Sequence, residues 1–118
     1  MQRRGPIKRT HRKAINAGEK AHMDRVAALG CCVCLFEKQE WVQPQIHHMK
    51  VNPLTGLHLG LGQRASHFHV LPLCPEHHLA TSPDGYHASP FTWTTKHGTE
   101  IELFREVCRL LQIEDGTR

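Results

Sequence analysis

The clearest pattern of apolar and polar positions lies near the C-terminus. Thr99 and Glu102 have the spacing of a capping box, in which each side chain satisfies a backbone N–H at the start of a helix. Apolar residues then recur every three or four positions, at Ile101, Phe104, Cys108 and Leu111. This period predicts an amphipathic helix with one face turned towards a core.

A second helix is predicted near the other end of the chain. Asn16 and Glu19 have the spacing to cap its first turn, and Ala21, Val26 and Leu29 can share one apolar face. Gly30 suits the end of this helix, because glycine readily adopts the left-handed backbone conformation found there.

Between these two helices, the spacing of the apolar residues becomes shorter and is typical of strands. Residues 41–49 and 67–73 are predicted to form strands, although Pro44 disturbs the first of them. The Gly-rich residues 51–65 between them are predicted to form a loop. Pro75 and Glu76 favour the start of a short helix, and residues 81–90 are typical of another loop. The order of elements predicts a small α+β fold.

Size and charge narrow the class of protein. A chain of 118 residues with 39% hydrophobic residues has the size of one small domain with a modest core. The chain has neither an apolar stretch long enough to span a membrane nor a secretory signal, so we expect a cytoplasmic protein without a membrane partner. Residues 1–25 hold eight Lys or Arg against two acidic residues, a net charge of +6. We therefore predict a flexible basic arm over residues 1–15 and a folded domain over residues 16–118.

Five cysteines in such a chain favour metal binding over disulfides. Cys31 and Cys34 form a C-x-x-C hook, and Cys74 and His77 form a second hook with the same gap. Two such hooks supply the closed tetrahedral shell of a structural Zn²⁺ site. The alternative is that these residues are small buried core residues. Cys32 and Cys108 are interpreted as core residues.

Histidines form a second candidate site beside the hooks. His47 and His48 end the first predicted strand, where neighbouring side chains point to opposite sides. One of them can bind a second metal ion together with His78, while the other stays free as a general base. A cation opposite a base is the arrangement of a phosphodiesterase site. The alternative is a set of exposed histidines without a task.

The block from Leu73 to His78, preceded by a strand that ends in two histidines, resembles the HNH nuclease motif of the ββα-metal fold. Together with residues 62–68, 85–87 and 97–100, it is most similar to the phage Ref family, recombination-enhancement nucleases that depend on RecA. The resemblance covers about residues 21–111. It implies a zinc-stabilised HNH domain with flanking helices, and a RecA-like recombinase filament as a partner.

The resemblance also implies roles for single residues. His48 takes the place of the general base, and His47 and His78 take the places of ligands to a catalytic divalent metal. The motif position of a further ligand, four residues after His78, is Ser82 in this chain, so His87 is the best candidate for that ligand. His69 falls where many HNH proteins have an orienting Asn, and His67 falls where Ref-like chains usually have Asp. The catalytic cation stays open among Mg²⁺, Mn²⁺, Zn²⁺ and Ni²⁺, because imidazole ligands suit the softer ions while a site with few protein ligands still accepts Mg²⁺.

These observations predict a metal-dependent DNA endonuclease that acts in phage recombination. Arg64 is expected to contact a phosphate at the site. Further DNA contacts are expected from Lys50 and from the basic side chains of the arm, which are Arg3, Arg4, Lys8, Arg9, Arg12 and Lys13. Two alternatives stay open. One is a zinc-dependent nucleic-acid-binding module without catalysis, and the other is a metal-storage or metal-sensing protein.

Overall fold

The structure is a computed structural model that describes residues 14–115. Its elements follow the predicted α+β class, with five helices around one small sheet in the described part of the chain. In chain order they are α1 (Ala17–Ala28), α2 (Cys32–Lys38), β1 (Gln45–His48), β2 (Val70–Leu73), α3 (Pro75–His78), α4 (Pro90–His97) and α5 (Glu100–Leu111). Arg3, Arg4, Lys8, Arg9, Arg12 and Lys13, and with them most of the predicted arm, lie outside the described residues.

Both predicted capping boxes are confirmed. Asn16 accepts a hydrogen bond from the backbone N–H of Glu19 at the start of α1, and Thr99 accepts one from that of Glu102 at the start of α5. Gly30 follows α1 with a φ of +80°. A side chain on Gly30 would also collide with the Trp41 ring, since a Cβ there would lie 2.7 Å from it.

The sheet is an antiparallel pair, and both strands are shorter than predicted. β1 begins only after Pro44, and β2 begins at Val70 rather than at residue 67. In the register, Gln45 lies opposite Leu73 and His48 lies opposite Val70. Because the strands are antiparallel and α3 follows β2 directly, α3 lies beside the start of β1, where the ring centroids of His47 and His78 are 5.2 Å apart.

Two local features were not predicted from the sequence. The first cysteine hook lies on a helix, with Cys31 as the N-terminal cap of α2 and Cys34 in its first turn. Helix α4 was not predicted at all, because Trp93 is the one residue of the helix that is buried, so the helix has no apolar face with a helical period.

The core lies between the sheet and the helices. Leu71 and Leu73 of β2 and Met49, the residue after β1, are fully buried, and they share one cluster with Phe104 and Val107 of α5. Cys32 and Cys108 are also buried in this cluster, as predicted. Among the described residues, no helix has the length and apolar character needed to cross a membrane.

Candidate metal centres

The first candidate centre is a buried group of three thiols and one imidazole. Cys31, Cys34, Cys74 and His77 are between 0% and 4% exposed. His77 Nδ1 lies 3.6 Å from the Sγ atoms of Cys31 and Cys34 and 3.2 Å from that of Cys74. The two Sγ atoms of Cys34 and Cys74 are 3.9 Å apart. Around a tetrahedral Zn²⁺ with ordinary bond lengths, S···N and S···S separations are about 3.6 and 3.8 Å. These four residues can therefore hold a metal ion.

The two hooks reach this centre from the first turns of two helices. Cys31 and Cys74 are the N-terminal cap residues of α2 and α3, and Cys34 and His77 follow three positions later. Burial, followed by the neighbouring thiols, raises the pKa of Cys34 to about 12. Metal binding requires thiolates, so a cation would stabilise the charged form that burial disfavours.

Asp84 lies behind the histidine of this centre and was not identified from the sequence. Its Oδ2 atom lies 3.4 Å from His77 Nε2. With the proton of His77 on Nε2, Nδ1 keeps its lone pair towards the three sulfur atoms, which is the usual carboxylate–histidine–metal arrangement. Asp84 also contacts Nε2 of His97 at 3.0 Å, and Nδ1 of His97 contacts Glu37 at 2.6 Å. This network links α2 and α4 to the centre.

The second candidate centre consists of His47, His78 and His87. Each offers one potential ligand atom, and these three atoms all lie within 4.8 Å of one another. Their ring centroids are 4.9 to 5.2 Å apart. His47 is 1% exposed, His78 is half-buried and His87 is exposed, so the group opens to solvent on one side. Burial, with His47 and His87 adding to it, lowers the pKa of His78 to about 4. All three imidazoles in their neutral forms can act as ligands.

Gly85 explains how His87 reaches this group from the loop after α3. A Cβ on Gly85 would lie 1.9 Å from the backbone oxygen of Leu79, so only glycine allows the loop to fold back against the end of α3. The chain then runs beside the helix, where His87 N donates to His78 O at 3.1 Å. The eight residues between His78 and His87 therefore form a compact loop that brings the two histidines together.

His47 is held by a buried carboxylate that the sequence analysis missed. Glu100, 3% exposed, contacts His47 Nε2 at 2.5 Å and accepts hydrogen bonds from the backbone N–H groups of Lys50 and Val51. A proton on Nε2 leaves the lone pair of His47 on Nδ1. That atom is buried and has no hydrogen-bond partner in the described part of the chain. A metal ion is one partner that could satisfy it.

His78 shows the same arrangement with the opposite nitrogen. Its Nδ1 atom lies 2.8 Å from Oε1 of Gln45, an oxygen that can only accept. The proton of His78 is thus on Nδ1, and Nε2 is available as a ligand atom. The donor set and its orientation fit a divalent cation with open coordination positions.

His48 is not part of the three-histidine group. It is half-buried at the end of β1, and its Nε2 atom lies 2.9 Å from Nδ1 of His67. Burial, followed by the charges of His67 and Arg64, lowers the pKa of His48 to about 4. Lys50 also lowers it, so both predicted phosphate-binding side chains act electrostatically on this imidazole. His48 is therefore neutral at pH 7.

His69 lies in a different environment from His48. It lines a pocket with His22 and Phe68 against α1, and its ring contacts Phe104 edge-on at 5.8 Å. The imidazole beside His48 is that of His67. The orienting role expected of His69 thus has a second candidate in His67.

A scan of protein-family models and a search of curated proteins find no match to this chain. The resemblance to HNH nucleases therefore rests on the motif residues alone.

Proposed function

We propose that the protein is a metal-dependent DNA endonuclease of the HNH class. The observation that carries this proposal is that the neighbouring residues His47 and His48 lie in different environments. His47 has a buried nitrogen without a hydrogen-bond partner and lies in one group with His78 and His87, while its neighbour His48 stays outside that group with a neutral imidazole. Hydrolysis of a phosphodiester can use a cation to stabilise the leaving oxygen and a free base to take the proton of the attacking water.

In this proposal His48 takes the proton of the attacking water. In the required tautomer, the Nε2–H group of His48 donates a hydrogen bond to Nδ1 of His67. Nδ1 of His48 then has the lone pair that accepts the proton from water. As the new P–O bond forms, the bond to the leaving oxygen breaks, and Arg64 neutralises a non-bridging oxygen. A divalent cation held by His47, His78 and His87 would supply positive charge beside the leaving oxygen.

The unpartnered nitrogen of His47 also favours a nuclease over a zinc-dependent binding module. A module that only binds nucleic acid needs the four-ligand centre for its fold, but it has no use for a second, solvent-open group. Leaving a buried donor or acceptor unsatisfied costs about 1–3 kcal/mol. Such a cost is typical of a group that is arranged for a ligand.

The test is cleavage of supercoiled plasmid DNA in the presence of Mg²⁺, Mn²⁺, Zn²⁺ or Ni²⁺. Wild-type protein is expected to nick or linearise the plasmid with at least one of these ions. His48→Ala is expected to lose about 10²- to 10⁴-fold in rate, the usual contribution of a general base, and to keep its metal content and DNA affinity. Wild-type cleavage by His48→Ala would disprove the assignment of the base.

The DNA-binding role of the arm and the recombinase partner stay predictions from charge and from the resemblance. If the plasmid is not cut with any of these ions while DNA binding persists, the binding module becomes the better description.

A further inference from the structure

An apolar cleft opens next to the three-histidine group. Its volume is about 480 Å³, and its walls include Tyr86, Phe91 and Ile101. Tyr86 and Glu100 belong to both sites, since the Tyr86 ring lies 4.7 Å from that of His47 and Glu100 binds the same histidine. Anything bound in the cleft therefore lies next to whatever the histidines hold.

We propose that this cleft is a subsite for one nucleobase of the bound DNA, which stacks against Phe91 while its neighbouring phosphate lies at the histidines. This inference rests on the proposed function, because it takes the ligand of the histidine group to be a phosphodiester. It adds a base-binding site to a centre that otherwise contacts only the backbone.

Phe91 is the first reason to place a base here. It lies in the first turn of α4 and is 84% exposed. Exposing a phenyl ring to water beside an apolar cleft is energetically unfavourable. Every nucleobase offers a flat face to such a ring, so stacking tolerates any sequence. The ring is thus placed to cover one side of a base.

The polar groups of the cleft are the second reason. The carboxylate of Glu100 is occupied by His47 and by the N–H groups of Lys50 and Val51, so its charge is compensated within the protein. The hydroxyl of Thr94 is bonded to Pro90 O at 2.6 Å. The lining is therefore largely apolar towards a ligand, which suits a flat aromatic group.

The charge around the cleft is the third reason. Lys50 is exposed, and its charge acts on both His48 and His87. A positive side chain close to the histidines attracts a chain of phosphates, and the nearby apolar walls accept the base that such a chain carries. This combination favours a nucleotide over a neutral apolar molecule.

The test compares two DNA ligands of equal charge. One is a short single-stranded oligodeoxynucleotide, and the other is a fully abasic chain of the same length. Their dissociation constants are measured by fluorescence anisotropy with the full-length protein carrying His48→Ala, so that neither ligand is cut. We expect this protein to prefer the base-bearing chain by about 5- to 150-fold, as for a stacked base, and Phe91→Ala to remove most of that preference.

Two variants make the result specific. Phe91→Trp should keep the preference, because indole also stacks on a base. Leu61→Ala, which truncates a fully exposed apolar residue in the loop between the strands, should leave the preference unchanged.

An equal preference with and without the Phe91 ring would overturn the proposal, as would an absence of any preference before substitution. If Phe91→Ala instead dissolved a dimer and left the preference intact, the cleft would belong to a second copy of the chain and the proposal would fall. None of these readouts depends on cleavage, so a failure of the nuclease assignment is recognised separately by the plasmid assay.

Discussion

The two candidate metal centres are neighbours on α3, yet they differ in almost every property. His77 belongs to a group whose four members are at most 4% exposed. His78 belongs to a group in which exposure to solvent increases from the buried His47 to the exposed His87. The first offers three thiols and one imidazole, and the second offers imidazoles alone. A closed tetrahedral shell is typical of a structural ion, and an open shell leaves positions for water and substrate.

In both centres, a carboxylate determines which nitrogen of a candidate ligand histidine carries the proton. Asp84 faces Nε2 of His77, and Glu100 faces Nε2 of His47. In both cases the acid leaves Nδ1 free to face the ion. The proposed difference in function therefore rests on exposure and ligand type, while the means of orienting the ligands is the same.

The largest expected effect breaks the closed centre. Cys34→Ala should lose the zinc that we propose for this centre and the cooperative unfolding transition, because zinc binding in small domains provides about 10–16 kcal/mol, as much as a whole domain's net stability. Cys32→Ala is the matched control, since Cys32 is also buried in α2 but lies outside the group of ligands. Zinc content by mass spectrometry and thermal unfolding by circular dichroism measure both variants.

The account predicts that Cys32→Ala keeps its zinc and loses only packing energy. Equal zinc loss in the two variants, or a Cys34→Ala protein that keeps its zinc, would contradict the assignment of the closed centre.

A smaller effect is expected from the carboxylate of the open centre. Glu100→Gln keeps the size of the side chain and an oxygen for the N–H groups of Lys50 and Val51, but it removes the charge that faces His47. We expect the affinity for the catalytic metal to fall about 10- to 100-fold, as for other carboxylate partners of ligating histidines. Isothermal titration with Mn²⁺ measures this loss.

Glu106→Gln is the control for that experiment, because Glu106 lies on the same helix and pairs with Arg109 at the surface. The tightly held zinc should stay in both variants. Equal affinities for the second metal ion would show that Glu100 does not support the open centre.

The smallest effect is one of pH. The pKa of His48 lies near 4 in the folded protein, below its usual value of 6.5, so this base stays unprotonated as the pH falls through 6.5 and is protonated only as it approaches 4. At saturating metal, the pH dependence of kcat/KM reports the protonation states of the free enzyme. We therefore expect no decrease in kcat/KM from protonation of His48 between pH 7.5 and 5.5. A loss of rate centred near pH 6.5 would show that burial and the positive neighbours do not act on the base.

Local signals in the sequence were sufficient for much of the fold. The capping boxes at Asn16 and Thr99 fixed the starts of two helices, since both partners of each box lie within one turn. The two hooks predicted the closed centre, because equal two-residue gaps constrain the side chains wherever the hooks come to lie. Helix α4 was missed because it contributes only Trp93 to the core.

The residues that support the two centres could not be found in the same way. Glu100 contacts His47 across 53 positions, and its only local feature is its place in the first turn of α5. Asp84 lies in a segment read as a polar loop. Gly85 carried a weak signal, since a glycine just before two aromatic or imidazole side chains can mark a close approach of the backbone, but its partner Leu79 was visible only in three dimensions.

The central claim is that one metal group maintains the fold while its neighbour performs catalysis. The most direct measurement is the rate of plasmid cleavage by His78→Ala, with zinc content and melting temperature determined on the same sample. The account predicts that this protein keeps its one tightly held zinc and its melting transition but loses cleavage. A His78→Ala protein that cuts DNA at the wild-type rate, or one that loses its zinc and unfolds, would contradict it.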